Sequence, residues 1–226
     1  MKAICTNGVK TLLLDLMPAF ERKGGAKPAI TWGATANLVK ELEAGAAADL
    51  VILTAESIDD LSRKGMVVAG SRVDIASSGI GLAVRKGASK PDISTPDALK
   101  AALLTAKSVS HSKSGMSGIY FPTVLARLGI AEQMKSKIVM PEPGTPVGEV
   151  IARGDAEIGV QQISELLPVA GIEIIGALPP SLQKTTIFSA GIPSKAKEAD
   201  AARAYVKFVT AEAGPLLKSK GLEPPR

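Results

Sequence analysis

Ile30-Thr-Trp-Gly-Ala-Thr-Ala-Asn-Leu-Val-Lys-Glu-Leu-Glu-Ala-Gly-Ala-Ala-Ala-Asp-Leu-Val-Ile-Leu-Thr54 compresses a whole structural unit into one run. Ile30 to Trp32 is a short apolar strand. Gly33 to Ala36 carries no bulky side chain and reads as a turn. Leu38, Val39 and Leu42 recur at helical spacing and form one apolar face, and Gly45 stands where a helix stops. From Asp49 to Thr54 the chain is almost continuously apolar, the pattern of a strand covered on both faces. The turn at Ala34-Thr35-Ala36 is the chemically interesting point. A helix start there presents unpaired backbone N–H groups and the positive end of the helix dipole, so it receives an anion without a charged side chain.

The same alternation extends in both directions. Lys2–Thr6 reads as a strand, Asn7-Gly8 as a turn, and Val9 to about Arg22 as a helix whose face is Leu12, Leu13, Leu16, Met17 and Phe20. Beyond residue 54, Ile58 and Leu61 mark a helix stopped by Gly65, and Ile80–Val84 is a strand. Thr95-Pro96-Asp97 supplies an N-cap, a proline at the first helical position and an acid in the first turn, for a helix to about Lys107. Ser108–His111 is a strand, Ser112–Gly118 a polar loop, and Ile119–Leu128 a helix closed by Gly129. Ile138–Met140, Glu157–Gln161, Ile172–Ala177 and Thr186–Ala190 are further strands. Helices run from the Pro141–Pro146 loop to Arg153, through Leu167, and from near Ala196. The tail from Gly221 is expected to be loose. Such alternation specifies an α/β fold with mostly parallel sheets. No repeat of short period is visible. In open α/β sheets ligands bind beyond the carboxyl ends of strands, where helices begin. Four neutral, donor-rich turns fall at such junctions: Asn7-Gly8, Gly33–Ala36, Ser114–Gly118 and Gly144-Thr145.

Bulk properties narrow the function classes. In 226 residues, 46% are hydrophobic and 22% charged, a globular balance. Aromatics are only 3%, and the 27 Lys and Arg against 22 Asp and Glu give a net charge of +5 that is scattered rather than striped. That excludes an evident nucleic-acid surface, while a mild positive field draws anions. Cys5 is the only cysteine. It allows no intrachain disulfide and reads as a small buried residue. No stretch approaches the ~18 apolar residues of a membrane span. No export leader is visible, so the chain is expected to be cytosolic or to have lost a leader. Nucleotide-binding glycine motifs and a G-x-S-x-G elbow are absent. No cofactor and no metal is implied: one His and one Cys are not a metal site.

Leu42-Glu-Ala-Gly-Ala-Ala-Ala-Asp-Leu-Val-Ile52 resembles a pattern of the periplasmic molybdate-binding proteins, the extracytoplasmic solute-binding partners of ABC importers. Ser117-Gly118-Ile119-Tyr120 with Leu125 and Leu128-Gly129, and Ala156-Glu157-Ile158-Gly159-Val160, are supporting matches in the same order. The resemblance implies a type II periplasmic-binding-protein-like flytrap. One lobe would span residues 1–77 plus 190–226, the other 78–189, with hinges near Ser77–Gly81 and Ile187–Gly191. A small anionic ligand would lie between the lobes, and the importer's membrane subunits would be the partner. The implied location is periplasmic and the implied state a monomer without direct membrane insertion. Carried over by position, ligand contacts fall on Asn7 or Gly8 and Thr35 in the first lobe, and on Ser117, Gly144 and Gln162 in the second. Ser114 joins them as a loop hydroxyl beside a helix start.

Departures from the family pattern broaden the ligand. Asn7-Gly8 replaces a serine and Gln162 replaces a tyrosine. Asn and Gln offer donors and acceptors together, which suits a protonated or hydroxylated ligand as well as an oxyanion such as molybdate or tungstate. A small organic acid is therefore within reach, and the family's looser branch resembles aconitate isomerase, in which the cleft is an active site. For that alternative His111, Lys10 or a serine would have to move protons. The residues themselves leave choices open. Thr35 is a contact or an N-cap, and Asn7 a contact or a left-handed turn residue. Ser114 and Ser117 are contacts or loop solubilisers. Lys10 faces ligand or solvent, and Trp32 lines a cleft or packs. Asp59-Asp60 reads as a helix-dipole pair rather than a catalytic couple.

Overall fold

The computed structural model describes residues 1–142 and 144–225; within the expected Pro141–Pro146 loop Pro143 lies outside the described residues, as does Arg226 at the tail. In chain order the elements are β1 (Lys2–Thr6), α1 (Lys10–Arg22), β2 (Ala29–Gly33), α2 (Thr35–Glu43), β3 (Leu50–Thr54), α3 (Ala55–Arg63), β4 (Val73–Ser78) and β5 (Ile80–Arg85). Then follow α4 (Pro96–Thr105), β6 (Val109–His111), α5 (Met116–Arg127), α6 (Ala131–Met134), β7 (Ile138–Val139), α7 (Val147–Arg153) and β8 (Ile158–Gln162). The last are α8 (Ile163–Leu166), β9 (Ile172–Ala177), β10 (Thr186–Gly191) and α9 (Ala199–Glu212). The chain divides into two compact units: Met1–Ser78 with Thr186–Arg226, and Gly79–Thr185. Ser78 and residues 186–189, assigned by sequence to the second lobe, sit with the first, because all of β10 pairs with β3 and β4 and Thr186 pairs with Ser78 at the end of β4.

The first unit holds the sheet β2-β1-β3-β10-β4. β1 runs parallel to β2 and β3, while β10 is antiparallel to β3 and β4. Both faces are covered. Ala3, Cys5, Leu50 and Ile52 point into a core with α1 and α9, through Leu12, Leu13, Tyr205 and Val209. Ile4, Val51 and Leu53 point the other way, onto Leu38, Leu42, Ile58 and Leu61 of α2 and α3. That two-sided burial explains the unbroken apolar run of β3. Each fully buried leucine contributes roughly 2 kcal/mol of transfer free energy. Burial also drives the Cys5 thiol well above its ordinary pKa, so it stays protonated.

The second unit holds β7-β6-β8-β5-β9. β6 is parallel to β7 and β8, and β5 is antiparallel to β8 and β9. Its main core packs Leu82, Val109, Ile158 and Val160 against α4 and α5, through Leu99, Leu103, Phe121 and Val124. Val147, Val150 and Ile151 of α7 cover the other face. The two sheets thus repeat one topology: three parallel strands with the earliest in the middle, then two strands joined antiparallel. The fold class is α/β, but each sheet is mixed rather than mostly parallel, because β10 and β5 enter from the chain crossings in the reverse sense.

Three local expectations are corrected. β4 has no counterpart in the sequence reading; its Asp74, Ser77 and Ser78 interrupt the apolar pattern. α5 begins at Met116, earlier than Ile119, which turns part of the expected Ser112–Gly118 loop into helix. The tail is not loose as far as it is described: Ser77 and Glu223 exchange backbone hydrogen bonds of 2.8 Å, and Leu222 is buried. A leucine inserted into the core holds a segment that its prolines alone would leave free.

Candidate functional site

Each unit places its candidate residues on the carboxyl edge of its parallel strand triplet, the edge where α/β proteins bind ligands. In the first unit that edge comprises the ends of β2, β1 and β3. Thr6 ends β1, and Asn7–Val9 continues as a single 3-10 turn into α1. Asn7 is not a left-handed residue, since every positive φ in the described chain belongs to a glycine. Gly8 is buried. α2 starts at Thr35, with Ala34 in extended conformation as its N-cap. Thr35 is therefore not the cap: it is the first helical residue, and its hydroxyl turns sideways to donate to Thr6 Oγ1 at 3.0 Å. Both threonines are buried. A hydroxyl that accepts one such bond keeps its own hydrogen to give. Thr6 is thus a residue that sequence reasoning missed; the polar end of an otherwise apolar strand was its signal. By contrast Thr54, at the end of β3, caps α3 by accepting from the Ser57 N–H at 3.3 Å. That helix end is satisfied internally, whereas the first N–H groups of α2 have no partner within their helix.

The second unit offers the ends of β7, β6 and β8. β6 ends at His111, and Ser112 begins the approach to α5. Ser112 Oγ accepts from the Gly115 N–H at 3.1 Å, and Gly115 is the N-cap of α5. Ser114, half-buried, lies in this bend but is not the cap. A side chain on Gly118 would collide with the Ser112 carbonyl oxygen, so the loop lies directly on the helix backbone. Ser117 sits in the first turn of α5. It is 1% exposed, and its hydroxyl is buried without a hydrogen-bond partner. Orphaned buried hydroxyls are costly; Ser110 and Tyr205 share this state, and what marks Ser117 is its place in the first turn of α5, just beyond the carboxyl end of β6. Gly144 is exposed, with φ of 84°, and turns the chain toward α7. Its role is conformational, because only glycine adopts that angle without strain. Gln162 ends β8, is buried, and stands as the N-cap of α8. Its position matches that of Thr54 in the other sheet, but its side chain makes no cap bond.

The electrostatics are those of neutral donors. Lys10 begins α1, is exposed, and holds its ammonium 5.9 Å from the centre of the Trp32 ring. Trp32 packs half-buried against the core. Asp59 pairs with Arg72 at 2.6 Å and Asp60 with Lys64 at 2.8 Å, so the acidic pair is ion-paired in mid-helix rather than placed in the first turn. His111 is buried against Phe121, ring centres 5.3 Å apart, and burial lowers its pKa. Its Nδ1 lies 3.1 Å from the Ser112 carbonyl oxygen. That oxygen only accepts, so Nδ1 carries the hydrogen and Nε2 is left with a lone pair. Among the described residues, no three His, Cys, Asp or Glu side chains converge to hold a metal ion. No helix of the described residues is long and apolar enough to cross a membrane.

Two α/β units, each presenting uncharged donors on the carboxyl edge of a parallel triplet, define a binding protein of the type II periplasmic class. The chain belongs to the bacterial extracellular solute-binding proteins, whose family model matches residues 1–223. Among its relatives is an aconitate isomerase from a Pseudomonas species, 36% identical over 231 aligned positions, covering 99% of this chain and 87% of that one. The molybdate-binding protein ModA of Azotobacter vinelandii is 26% identical, covering 86% of this chain and 78% of its own. The solved structure of the Azotobacter vinelandii periplasmic molybdate-binding protein superposes over 100% of both chains with a TM-score of 0.83 at 19% identity. The resemblance read from Leu42–Ile52 thus extends through the whole chain.

Proposed function

We propose that this chain captures a small anion outside the cytoplasm and delivers it to an ABC importer. The observation that carries the reading is the Ser117 hydroxyl, buried and unpartnered in the first turn of α5. A group in that state gains a hydrogen bond when a ligand oxygen arrives, so the ligand recovers a cost already present in the folded chain. The Thr6–Thr35 pair adds the Thr6 hydroxyl hydrogen beside the start of α2, held in place by the bond it accepts from Thr35, and helix N-termini add backbone donors. Asn7, Gly8, Ser114, Gly144 and Gln162 complete the proposed contact set, Gly144 through its backbone. Such donors hold negative charge without a formal cation, which keeps release possible.

Gln162, with a donor and an acceptor on one amide, favours a carboxylic acid over a symmetric oxyanion. Thermal shift against molybdate, tungstate, sulfate, phosphate, citrate and the two aconitate isomers tests the reading. A ligand at one hundred times its dissociation constant adds about 2.7 kcal/mol of stability. A flat response to every anion removes the proposal.

A second reading is supported by the relative at 36% identity: the bound carboxylate is isomerised rather than delivered. Proton NMR of trans-aconitate incubated with the protein decides between them. Appearance of the cis isomer establishes catalysis; binding without conversion leaves a transport role.

A further inference from the structure

His111 is the only histidine of the chain, and the contact set leaves it unused. It ends β6, and its side chain shares a face with two of the proposed contacts. Register partners in a parallel pair point the same way, so His111 lies on the face of its partner Val160. Gln162, two residues further along β8, is on that face as well. α5 packs there: Phe121 joins Val109, Ile158 and Val160 in one core, and its ring centre lies 5.3 Å from that of His111. Ser117 stands four residues before Phe121, on the same side of α5. From Phe121 back to Ser117 is ~6 Å along the helix, and from Val160 on to Gln162 is ~6.6 Å along the strand, both toward the carboxyl edge. The orphaned Ser117 hydroxyl and the Gln162 amide therefore stand one layer beyond the imidazole, which forms the floor beneath them.

The hydrogen-bond pattern fixes what that floor offers. Nδ1 donates to the Ser112 carbonyl, the one polar contact of the ring among the described residues, so Nε2 carries only a lone pair. The ring is 4% exposed and has no carboxylate partner, and burial disfavours the imidazolium, so it stays neutral. Nε2 is without a partner, yet it is not one of the side-chain atoms sealed from solvent in that state, as Ser117 Oγ is. It keeps open surface. The hydroxyls and amides of the contact set can turn to donate; a neutral imidazole held through Nδ1 cannot.

We propose that His111 is a specificity residue: its Nε2 accepts a hydrogen bond from the bound anion and so selects anions that carry an O–H, hydroxycarboxylates or monohydrogen oxyanions, over bare oxyanions. The proposal rests on the anion-binding reading, through Ser117 and Gln162. An O–H laid on this floor gains a bond. A fully deprotonated oxygen laid there meets a lone pair, and two acceptors facing each other out of water repel.

Titration calorimetry at pH 8 with two matched pairs tests this. Citrate and tricarballylate differ by one hydroxyl. Monohydrogen phosphate and sulfate are dianions of one shape that differ by one hydrogen. Wild type should bind the hydrogen-bearing member of a pair about tenfold more tightly or better. His111→Asn keeps a donor for the Ser112 carbonyl and deletes Nε2, whereas His111→Phe keeps a ring against Phe121 and deletes both nitrogens. Each should level the pair. With a single histidine in the chain, nitrogen-15 NMR of wild type reads the same group without any variant. The free protein should carry its imidazole proton on Nδ1, and the preferred anion should move the Nε2 resonance upfield as that nitrogen accepts a bond. Equal affinities within both pairs, a preference for the bare member, a preference retained in His111→Asn, or a proton found on Nε2 overturns the proposal and leaves the anion reading standing. If the thermal screen finds only anions without an O–H, this proposal alone fails. If it finds no anion at all, the anion reading fails and this proposal falls with it.

Discussion

Ser117→Ala should move stability and binding in opposite directions. Ser117 is 1% exposed and its hydroxyl has no partner, so the free protein carries a desolvated donor and acceptor for no return. Leaving such a group unsatisfied costs roughly 1–3 kcal/mol. Alanine removes the group and is a better helix former by about 0.5 kcal/mol. Against these gains stands a void the size of one oxygen. The net expectation is about 1–2 kcal/mol of added stability, or about 2–8 °C in Tm for a chain of this length. With ligand present the sign reverses. The lost bond to a charged acceptor is worth about 1.5–3 kcal/mol, so affinity should fall about tenfold or more. Differential scanning calorimetry of the free proteins and titration calorimetry with the anion found by the thermal screen read the two effects separately. A Ser117→Ala protein that is less stable than wild type, or that binds the anion equally well, would show that the hydroxyl belongs to the packing and not to the site.

Three further outcomes are expected. Thr35→Ala removes the hydroxyl bonded to Thr6 and should weaken binding by about 1–2 kcal/mol, measured by calorimetry; Thr35→Ser should restore most of it. Gly118→Ala, which at an open helical position would stabilise by up to about 1 kcal/mol, should instead cost about 1–3 kcal/mol and lower affinity, because its methyl displaces the Ser112 carbonyl. An unchanged Tm would mean that the loop yields freely. Asp49 accepts three backbone N–H bonds, from Lys2 at 2.7 Å, Lys197 at 2.8 Å and Glu198 at 3.0 Å. The bond from Lys2 is the leading cause that lowers its pKa. A depressed folded pKa means stability present above the ordinary aspartate value and lost as pH falls through the folded one. Urea titrations of wild type should therefore weaken in that acid window, and Asp49→Ala should cost about 3 kcal/mol at pH 7 and flatten that part of the profile.

Element types and their order could be read from residues alone because they depend on short-range periodicity. Leu38, Val39 and Leu42 announce a helix, Leu50–Leu53 a buried strand, and Gly45, Gly65 and Gly129 the stops, all of which adopt positive φ. The small-residue turns were legible for the same reason, and they do fall on the carboxyl edges of the two parallel triplets. β4 was not legible, since Asp74 and two serines mask its alternation; it becomes a strand because β10 pairs with it. Nor could the sequence decide that β10 joins the first sheet in reverse sense, or that Leu222 anchors the tail. These follow from pairings between distant segments.

For the site, residue types were visible and states were not. A threonine after Gly33-Ala34 marks a helix start, but only folding brings Thr6 to Thr35 and makes a donor pair of them. Ser117 reads like any loop serine; its isolation follows from the early start of α5 and from the Ser112 backbone lying on Gly118. Local sequence dictates where backbone donors are exposed, since that depends on a few neighbouring dihedral angles. Whether a side chain is paired, orphaned or desolvated depends on everything packed around it, and the tertiary structure alone settles that.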